Sequence, residues 1–271
     1  MVSAVLPSGG QDGGVTSFEK TRPDAPTGFF EAEAAGLRWL AEAEARGGVR
    51  VVRVDDVGPG RIALEEVREV RPTREAAEAF GAALAATHAA GADAFGSPPR
   101  GWEGPTFIGR RPMATEPRGS WGRFYAAQRV LPFARVAREV GTLTTPEWTL
   151  VERAASAIER GAFDDDAEPA RLHGDLWAGN VLFAEGGVVL IDPAAHGGHP
   201  ETDLAMLALF GCPFLGEVLA AYDRASPLRD GWQERVPLHQ LHPLAVHAAG
   251  HGRSYGAALA EAAEATLVLL S

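Results

Sequence analysis

Apolar residues in the first quarter of the chain follow two different periods, which predict a small mixed unit of helix and strand. A helical period runs from 29 to about 45, where the apolar side chains share one face: Phe30, Ala34, Leu37 and Leu40. The glycine pair at 47–48 is placed to end this helix. Short apolar runs at 17–20, 49–54 and 61–65 predict strands, and the last two would pair around the turn at 58–60.

Most of the remaining chain has the apolar spacing of helices, predicted at 74–90, 120–141, 146–160, 201–210, 214–224 and over much of 236–270. The exception is a pair of short apolar runs, 181–184 and 187–191, whose separation by Glu185-Gly186 predicts a tight β-hairpin. A chain of 271 residues is long enough for two lobes. We therefore predict an α+β fold with a small β-containing lobe at 1–68 and a larger, mostly helical lobe at 69–271.

The segment around the predicted hairpin also carries the most specific candidate chemistry. It reads His173-Gly-Asp-Leu-Trp-Ala-Gly-Asn180, and the apolar run after the hairpin turn ends in Asp192-Pro. Asp175 precedes Asn180 by five positions, the interval that protein kinases use between their catalytic aspartate and a metal-binding asparagine. The hairpin would bring Asn180 and Asp192 to one end, where an amide oxygen and a carboxylate can bind Mg²⁺. This pattern predicts phosphoryl transfer from ATP, with Asp175 as the general base.

Two other interpretations of these residues are open. Asp175 and Asn180 are common turn residues, and they could cap a turn without a catalytic role. A metallohydrolase could be built from His173, Asp175, His196 and Asp192, but it would leave Asn180 and the small lobe without a role. The histidines at 239, 242, 247 and 251 lack the glutamate of a zinc-binding helix, so we predict that they pack in the core.

The stretch from His173 to Gly211 strongly resembles the fructosamine kinase (ketosamine-3-kinase) family, within the aminoglycoside phosphotransferase-like kinases. The most specific blocks are His173-Gly-Asp-Leu-Trp-Ala-Gly-Asn180 and Asp192-Pro-Ala-Ala-His-Gly-Gly-His-Pro-Glu201. Weaker likenesses are Trp121-Gly-Arg-Phe-Tyr125 with Arg129, and the run from Pro237 to Pro243. The resemblance implies a bilobal, protein-kinase-like fold. It also implies ATP- and Mg²⁺-dependent phosphorylation of a ketoamine sugar, commonly on its third-carbon hydroxyl, which leads to deglycation of small amines or proteins.

The resemblance assigns roles to single residues. It gives Asp175 as the base and Asn180 and Asp192 as magnesium ligands, with His173 and Asp203 supporting the catalytic loop. Trp177 would either pack on the sugar or lie under the loop as a core aromatic. Three residues would either line the acceptor pocket or hold the glycine turn in shape: His196, His199 and Glu201.

The small lobe contains the candidate nucleotide-binding residues. Lys20, on a predicted strand, would neutralise the phosphates, and a glutamate on the following helix would hold its ammonium group in place. Glu31 competes for this position, but the resemblance aligns Glu33-Ala-Ala-Gly-Leu37 with the family's E-x-x-x-L pattern. The backbone from Glu65 to Val67 would form the hinge that binds adenine. The 19 residues before Lys20 predict a truncated lobe, in which the glycine-rich run at 8–14 is the candidate phosphate-covering loop.

Composition narrows the class of protein. The net charge of −11 argues against a nucleic-acid surface, and the single cysteine, Cys212, suits a reducing compartment. No signal peptide or apolar run of membrane-spanning length is present in this sequence, so we predict a cytoplasmic enzyme that does not bind membranes. The sequence does not indicate the oligomeric state. Two alternative functions stay open: phosphorylation of an aminoglycoside or amino alcohol, and, because the N-lobe is short, non-catalytic binding.

Overall fold

The predicted small lobe contains an antiparallel sheet with one helix packed on it. The computed structural model describes residues 3–5 and 17–270. Four strands form the sheet in the order β1, Ser3–Val5; β2, Ser17–Thr21; β5, Arg61–Glu65; and β4, Val54–Gly58. Helix α1, Phe29–Ala41, buries the apolar face that its helical period predicted. The glycine-rich run at 8–14, our candidate phosphate-covering loop, lies outside the described residues.

A second, three-stranded sheet joins this lobe to the predicted catalytic hairpin. Strands β9, Val181–Ala184, and β10, Gly187–Leu190, form the predicted hairpin. Strand β3, Arg50–Val51, runs parallel to β10, and the N–H of Val52 donates to the Leu190 carbonyl over 3.0 Å. The predicted strand at 49–54 was therefore wrong in its pairing. Its first half binds the predicted catalytic hairpin, because β10 offers an open edge to 50–51, and the chain bonds to β5 only from Arg53 onward.

The rest of the described chain is mainly helical, as its apolar spacing predicted. Its helices are α2, Arg74–Ala89; α3, Trp121–Phe124; α4, Leu131–Glu139; α5, Thr145–Glu159; α6, Glu201–Phe210; α7, Leu215–Ala225; α8, Trp232–His251; and α9, Arg253–Val268. A π-helical segment, Tyr125–Val130, connects α3 to α4. Two short antiparallel strand pairs complete the fold. In one, β6 (Thr106–Ile108) pairs with β7 (Arg111–Met113). In the other, β8 (Ala170–Leu172) pairs with β11 (His196–Gly198).

Two apolar cores hold these elements together. The first combines side chains of α1, α2 and the catalytic hairpin, among them Leu37, Phe80 and Val189. The second lies among the later helices and contains Tyr125 and Leu241. The first core therefore crosses the predicted lobe boundary at 68/69, and that boundary stays a prediction.

No helix among residues 17–270 has the length and apolar character needed to cross a membrane.

Candidate active site

The predicted catalytic loop, 173–180, runs from β8 to the hairpin and is held by the first turn of α6. Asp203 lies in the first turn of α6 and is buried. Its Oδ2 accepts a hydrogen bond from the His173 N–H over 2.8 Å, and its Oδ1 accepts one from the Gly174 N–H over 3.0 Å. Burial alone would raise the pKa of Asp203, but its hydrogen bond with His88 and the Gly174 N–H hold that pKa below its usual value. Asp203, ionised at neutral pH, thus fixes the backbone on which Asp175 is carried.

His173 fixes the other side of the same loop. Its Nε2 donates to the Ile191 carbonyl over 2.9 Å, and its Nδ1 accepts from the Asp175 N–H over 3.2 Å. Burial lowers the pKa of His173, so the ring stays neutral in this one tautomer. With both ring nitrogens bonded to backbone, His173 has no atom left for a metal ion. The metallohydrolase interpretation therefore loses one of its ligands.

Gly174 has a backbone conformation that the loop requires. Its φ is +81°, in the left-handed region, and a Cβ at this position would collide with the Ala194 carbonyl. The glycine of the His-Gly-Asp motif is thus explained by the close approach of the loop to the segment after Asp192.

Asp175 and Asn180 are brought together as the motif predicted. The Nδ2 of Asn180 donates to the Asp175 carbonyl over 2.8 Å and lies 3.4 Å from the Asp175 Oδ2. Burial, the nearby Asp192 carboxylate and Asp203 raise the pKa of Asp175 to about 7, although Asn180 opposes the shift. A carboxyl group with a pKa near neutrality suits a general base.

Lys20 links the small sheet to the end of the hairpin. Its Nζ donates to the Glu33 Oε1 over 2.8 Å, so Glu33 and not Glu31 is its partner, and it also pairs with Asp192. Burial by itself would lower the pKa of Lys20, but these two carboxylates outweigh that effect and raise it. The ammonium group is therefore charged and held at the cleft.

Asp192 closes the hairpin beside Asn180, since the Ile191 N–H donates to the Asn180 carbonyl over 3.2 Å. Asp192 has a φ of +54°, an uncommon conformation for a residue other than glycine. The Nδ2 of Asn180 is held by the loop, which makes Oδ1 the atom suited to bind a cation. An amide oxygen and a carboxylate at one place are a donor set that suits Mg²⁺.

A cavity of about 320 Å³ lies in front of these residues. Lys20, Asp175, Asn180 and Asp192 line one part of it, and the side chain of Trp177 borders it with 41% of its surface exposed. Trp177 packs over Gly179 of the loop and is not a core aromatic. Apolar side chains from α1 and the β6–β7 hairpin complete the wall, including Phe29, Phe107 and Met113.

Three predicted substrate residues lie elsewhere. His196, His199 and Glu201 are buried and do not line the cavity. The Nε2 of His196 accepts from Arg129, and its Nδ1 donates to the Ala194 carbonyl over 2.8 Å. His196 therefore holds the segment after Asp192 in shape, which was the second of our two interpretations.

Glu201 belongs to a buried ionic cluster. Arg235 donates to both of its carboxylate oxygens, and the His239 Nε2 lies 3.3 Å from its Oε2. Burial opposes ionisation of Glu201, but these partners lower its pKa to about 2. Ligand atoms of His199, Glu201 and His239 lie within 4.8 Å of one another. Because Arg235 already neutralises the carboxylate, we assign this group to internal ion pairing and not to a metal ion.

The predicted hinge follows β5 but does not line the cavity. The side chain of Glu65 pairs with Arg50 and Arg53, and its N–H donates to the Arg53 carbonyl over 2.9 Å. Val67 is partly buried against the first core. Adenine binding by this segment stays a prediction.

One residue that orders the loop was missed. His88, in the last turn of α2, lies 3.2 Å from the Asp203 Oδ2 through Nε2 and 2.8 Å from the Tyr222 hydroxyl through Nδ1. No motif marks His88, because its role comes from the packing of α2 against α7.

Comparisons with known proteins agree with this geometry. The sequence profile of the fructosamine kinase family matches residues 10–268. A probable ketoamine kinase of Thermus thermophilus is 34% identical over 253 residues, which cover 91% of this chain and 86% of that protein. The crystal structure of a candidate fructosamine-3-kinase from Thermobifida fusca is 45% identical, with a TM-score of 0.87 over 98% of this chain and 94% of that one.

A more distant likeness concerns the fold alone. An aminoglycoside phosphotransferase of known structure is 14% identical, with a TM-score of 0.62 over 99% of this chain and 93% of that one. The predicted bilobal α+β, protein-kinase-like fold is thereby confirmed. With its profile match spanning nearly the whole sequence, this chain belongs to the fructosamine kinase family.

Proposed function

We propose that the chain transfers the γ-phosphoryl group of magnesium-ATP to a sugar hydroxyl of a ketoamine, with Asp175 as the general base. The class of reaction, ATP-dependent phosphorylation of a ketoamine, follows from membership of the fructosamine kinase family. One observation carries the assignment of residues. Lys20, Asp175, Asn180 and Asp192 come from distant parts of the sequence and line the same cavity.

The proposed roles follow from charge and position. Asp175 would orient the acceptor hydroxyl and accept its proton as the phosphoryl group is transferred. Lys20 would bind the nucleotide phosphates, held by Glu33. Asn180 and Asp192 would hold Mg²⁺, which when bound neutralises charge on the phosphates. These residues act mainly by positioning the reactants and stabilising negative charge.

We place adenine between the small sheet and the hinge. Phe18 is two residues before Lys20 on β2, so both side chains lie on one face of the sheet. Phe18 is 37% exposed, which makes it available to cover a flat ring. The N–H of Glu65 is already bonded within the sheet, so the backbone of Val67 is the better candidate for the adenine edge.

We place the sugar against Trp177. Its exposed indole ring borders the cavity on the same loop as Asp175, and a flat aromatic face packs well on the apolar face of a sugar. Small ketoamines are the acceptors proposed here. Glycated proteins are a further candidate class, and a cytoplasmic location remains our prediction.

The test of this function is ADP release by the purified chain with magnesium-ATP. We expect turnover with fructosyl-lysine and none with a panel of aminoglycosides. Turnover with the aminoglycosides alone would show that the acceptor is an aminoglycoside and not a ketoamine. No ADP release with either class of acceptor, together with no ATP binding by calorimetry, would favour the non-catalytic alternative.

The raised pKa of Asp175 predicts the pH dependence of turnover. A base with a pKa of about 7 is protonated and inactive below that pH, so kcat/KM should rise as the pH increases through about 7. The measurement is kcat/KM for a ketoamine between about pH 5 and 9, over the range in which the melting temperature shows a folded chain. A flat profile through neutrality would remove Asp175 from the role of base.

A further inference from the structure

Arg22 is a buried arginine at the edge of the cleft, and the proposed reaction does not use it. It is 9% exposed and lines the same cavity as Asp175. Within the described part of the chain, its Nε and Nη1 are fully buried and have no hydrogen-bond partner. The carboxylate of Asp24 lies 3.6 Å from Nε, too far for a hydrogen bond, on a side chain that is 82% exposed. A buried cation without a close partner is costly, and Nη2 is the guanidinium nitrogen that is not enclosed, so a ligand in the cavity would bind there.

The guanidinium group is held in place by aromatic packing. It lies over the Phe29 ring, 5.0 Å from the centroid, and the Phe29 ring lies 5.2 Å from that of Phe107 in the β6–β7 hairpin. The N–H of Arg22 donates to the Gly60 carbonyl over 2.8 Å, which extends the β2–β5 ladder by one residue. A stacked, pre-positioned guanidinium is suited to recognise a planar or tetrahedral oxyanion.

The position along β2 separates Arg22 from the nucleotide. In the sheet, Ser17 pairs with Glu65 near the hinge, and Thr21 pairs with Arg61 at the remote end. Phe18, Lys20 and Arg22 therefore follow one another on one face, each step covering roughly 6 to 7 Å. Because Lys20 meets Asp192 at the proposed phosphate site, Arg22 lies one step beyond it, on the side away from adenine.

Charge is also divided along the cavity. Its inner part carries the carboxylates of Glu33, Asp175 and Asp192, with Lys20 between them. The other part carries Arg22 and the exposed Arg110 at the turn of the β6–β7 hairpin. A ligand that spans the cavity would thus place a hydroxyl at one end and a negative group at the other.

We propose that Arg22 binds an oxyanion of the acceptor, so that the preferred substrate is a ketoamine that carries a carboxylate or phosphate. This inference rests on the proposed function, because it names the acceptor of that same site. A glycated amino acid would supply the carboxylate, and a phosphorylated ketoamine would supply the phosphate.

The experiment compares matched acceptors. Fructosyl conjugates of glycine, 4-aminobutyrate and 6-aminohexanoate are each paired with their amides, and the phosphate arm pairs fructosyl-aminoethyl phosphate with neutral fructosyl-ethanolamine. A charge-assisted hydrogen bond predicts that the best anionic acceptor has a kcat/KM roughly 10- to 100-fold above that of its neutral partner.

In Arg22→Met, which keeps the apolar stem, this preference should disappear, while the KM for ATP and turnover of the amides stay about the same. Arg38→Met, an exposed arginine on α1, is the matched control and should keep the preference.

Each other result has a distinct meaning. Equal kcat/KM for acids and amides in the natural chain, or a preference that survives in Arg22→Met, overturns the role of Arg22 and leaves the kinase function intact. A raised KM for ATP with every acceptor would assign Arg22 to the nucleotide, which also overturns it. If no conjugate is phosphorylated, the proposed function fails, and calorimetric binding of the acid and amide pairs then decides about Arg22 separately. Tighter binding of the acids that Arg22→Met abolishes would support the site, and equal binding would reject it.

Discussion

Asp175→Asn is expected to reduce ketoamine turnover by about 10²- to 10⁴-fold, the usual contribution of a positioned general base. The asparagine has nearly the same shape, and the hydrogen bond from Asn180 to the backbone carbonyl of residue 175 does not need the carboxylate. Magnesium-ATP should therefore bind with nearly unchanged affinity. The measurements are kcat by ADP release and the Kd of magnesium-ATP by calorimetry.

Asp175→Asn is also expected to change the stability of the folded chain in a direction that the raised pKa of Asp175 determines. The raised pKa of Asp175 means that ionisation of this group opposes folding, and that its contribution to stability is lost as the pH rises through about 7. Above that pH, Asp175→Asn should melt no lower than the natural chain. Near-normal turnover in a folded variant would show that Asp175 is not the base. A large loss of both turnover and melting temperature would indicate a structural role.

Asp192→Ala is expected to remove most of the effect of magnesium on nucleotide binding. In the natural chain, ATP should bind much more tightly when Mg²⁺ is present than when a chelator has removed it, because Asp192 and Asn180 together offer the oxygen ligands. Without the carboxylate the two affinities should approach each other, and turnover should fall below detection. Lys20 keeps its bond to Glu33, so binding of the free nucleotide should persist.

Glu185→Ala is the matched control for this experiment. Glu185 is an exposed carboxylate at the turn of the same hairpin, at the opposite end from Asp192. It should leave the magnesium dependence unchanged. An Asp192→Ala chain that still distinguishes magnesium-ATP from free ATP as the natural chain does would rule out Asp192 as the ligand.

The juxtaposition of the inner cleft residues could be predicted because it depends on local spacing. The interval from Asp175 to Asn180 and the hairpin between Asn180 and Asp192 are properties of one short segment. A strand and the next helix likewise bring Lys20 and Glu33 together. Long helices were predicted well for the same reason, since each repeats its apolar period several times. Membership of the fructosamine kinase family, predicted from these motifs, is confirmed.

What could not be predicted depends on contacts between distant segments. Strand β3 was assigned to the wrong hairpin because its partner, β10, lies more than a hundred residues later. The pairs β6–β7 and β8–β11 have three-residue strands, too short to show a period. The positions of His196 and Glu201 in the core, and of Arg22 in the cleft, follow from the packing of several elements. Sequence motifs single out His196 and Glu201 without showing which neighbours they contact, and none of the motifs named above includes Arg22.

The most direct test of the central claim is the identity of the product, determined by phosphorus and proton NMR after incubation of fructosyl-lysine with magnesium-ATP and the natural chain. We predict one new phosphate ester on a sugar hydroxyl, at the third carbon, formed in step with ADP and absent with Asp175→Asn. ATP consumption that yields only inorganic phosphate, or a sugar recovered unmodified, would contradict the assignment of this cleft as a ketoamine kinase site.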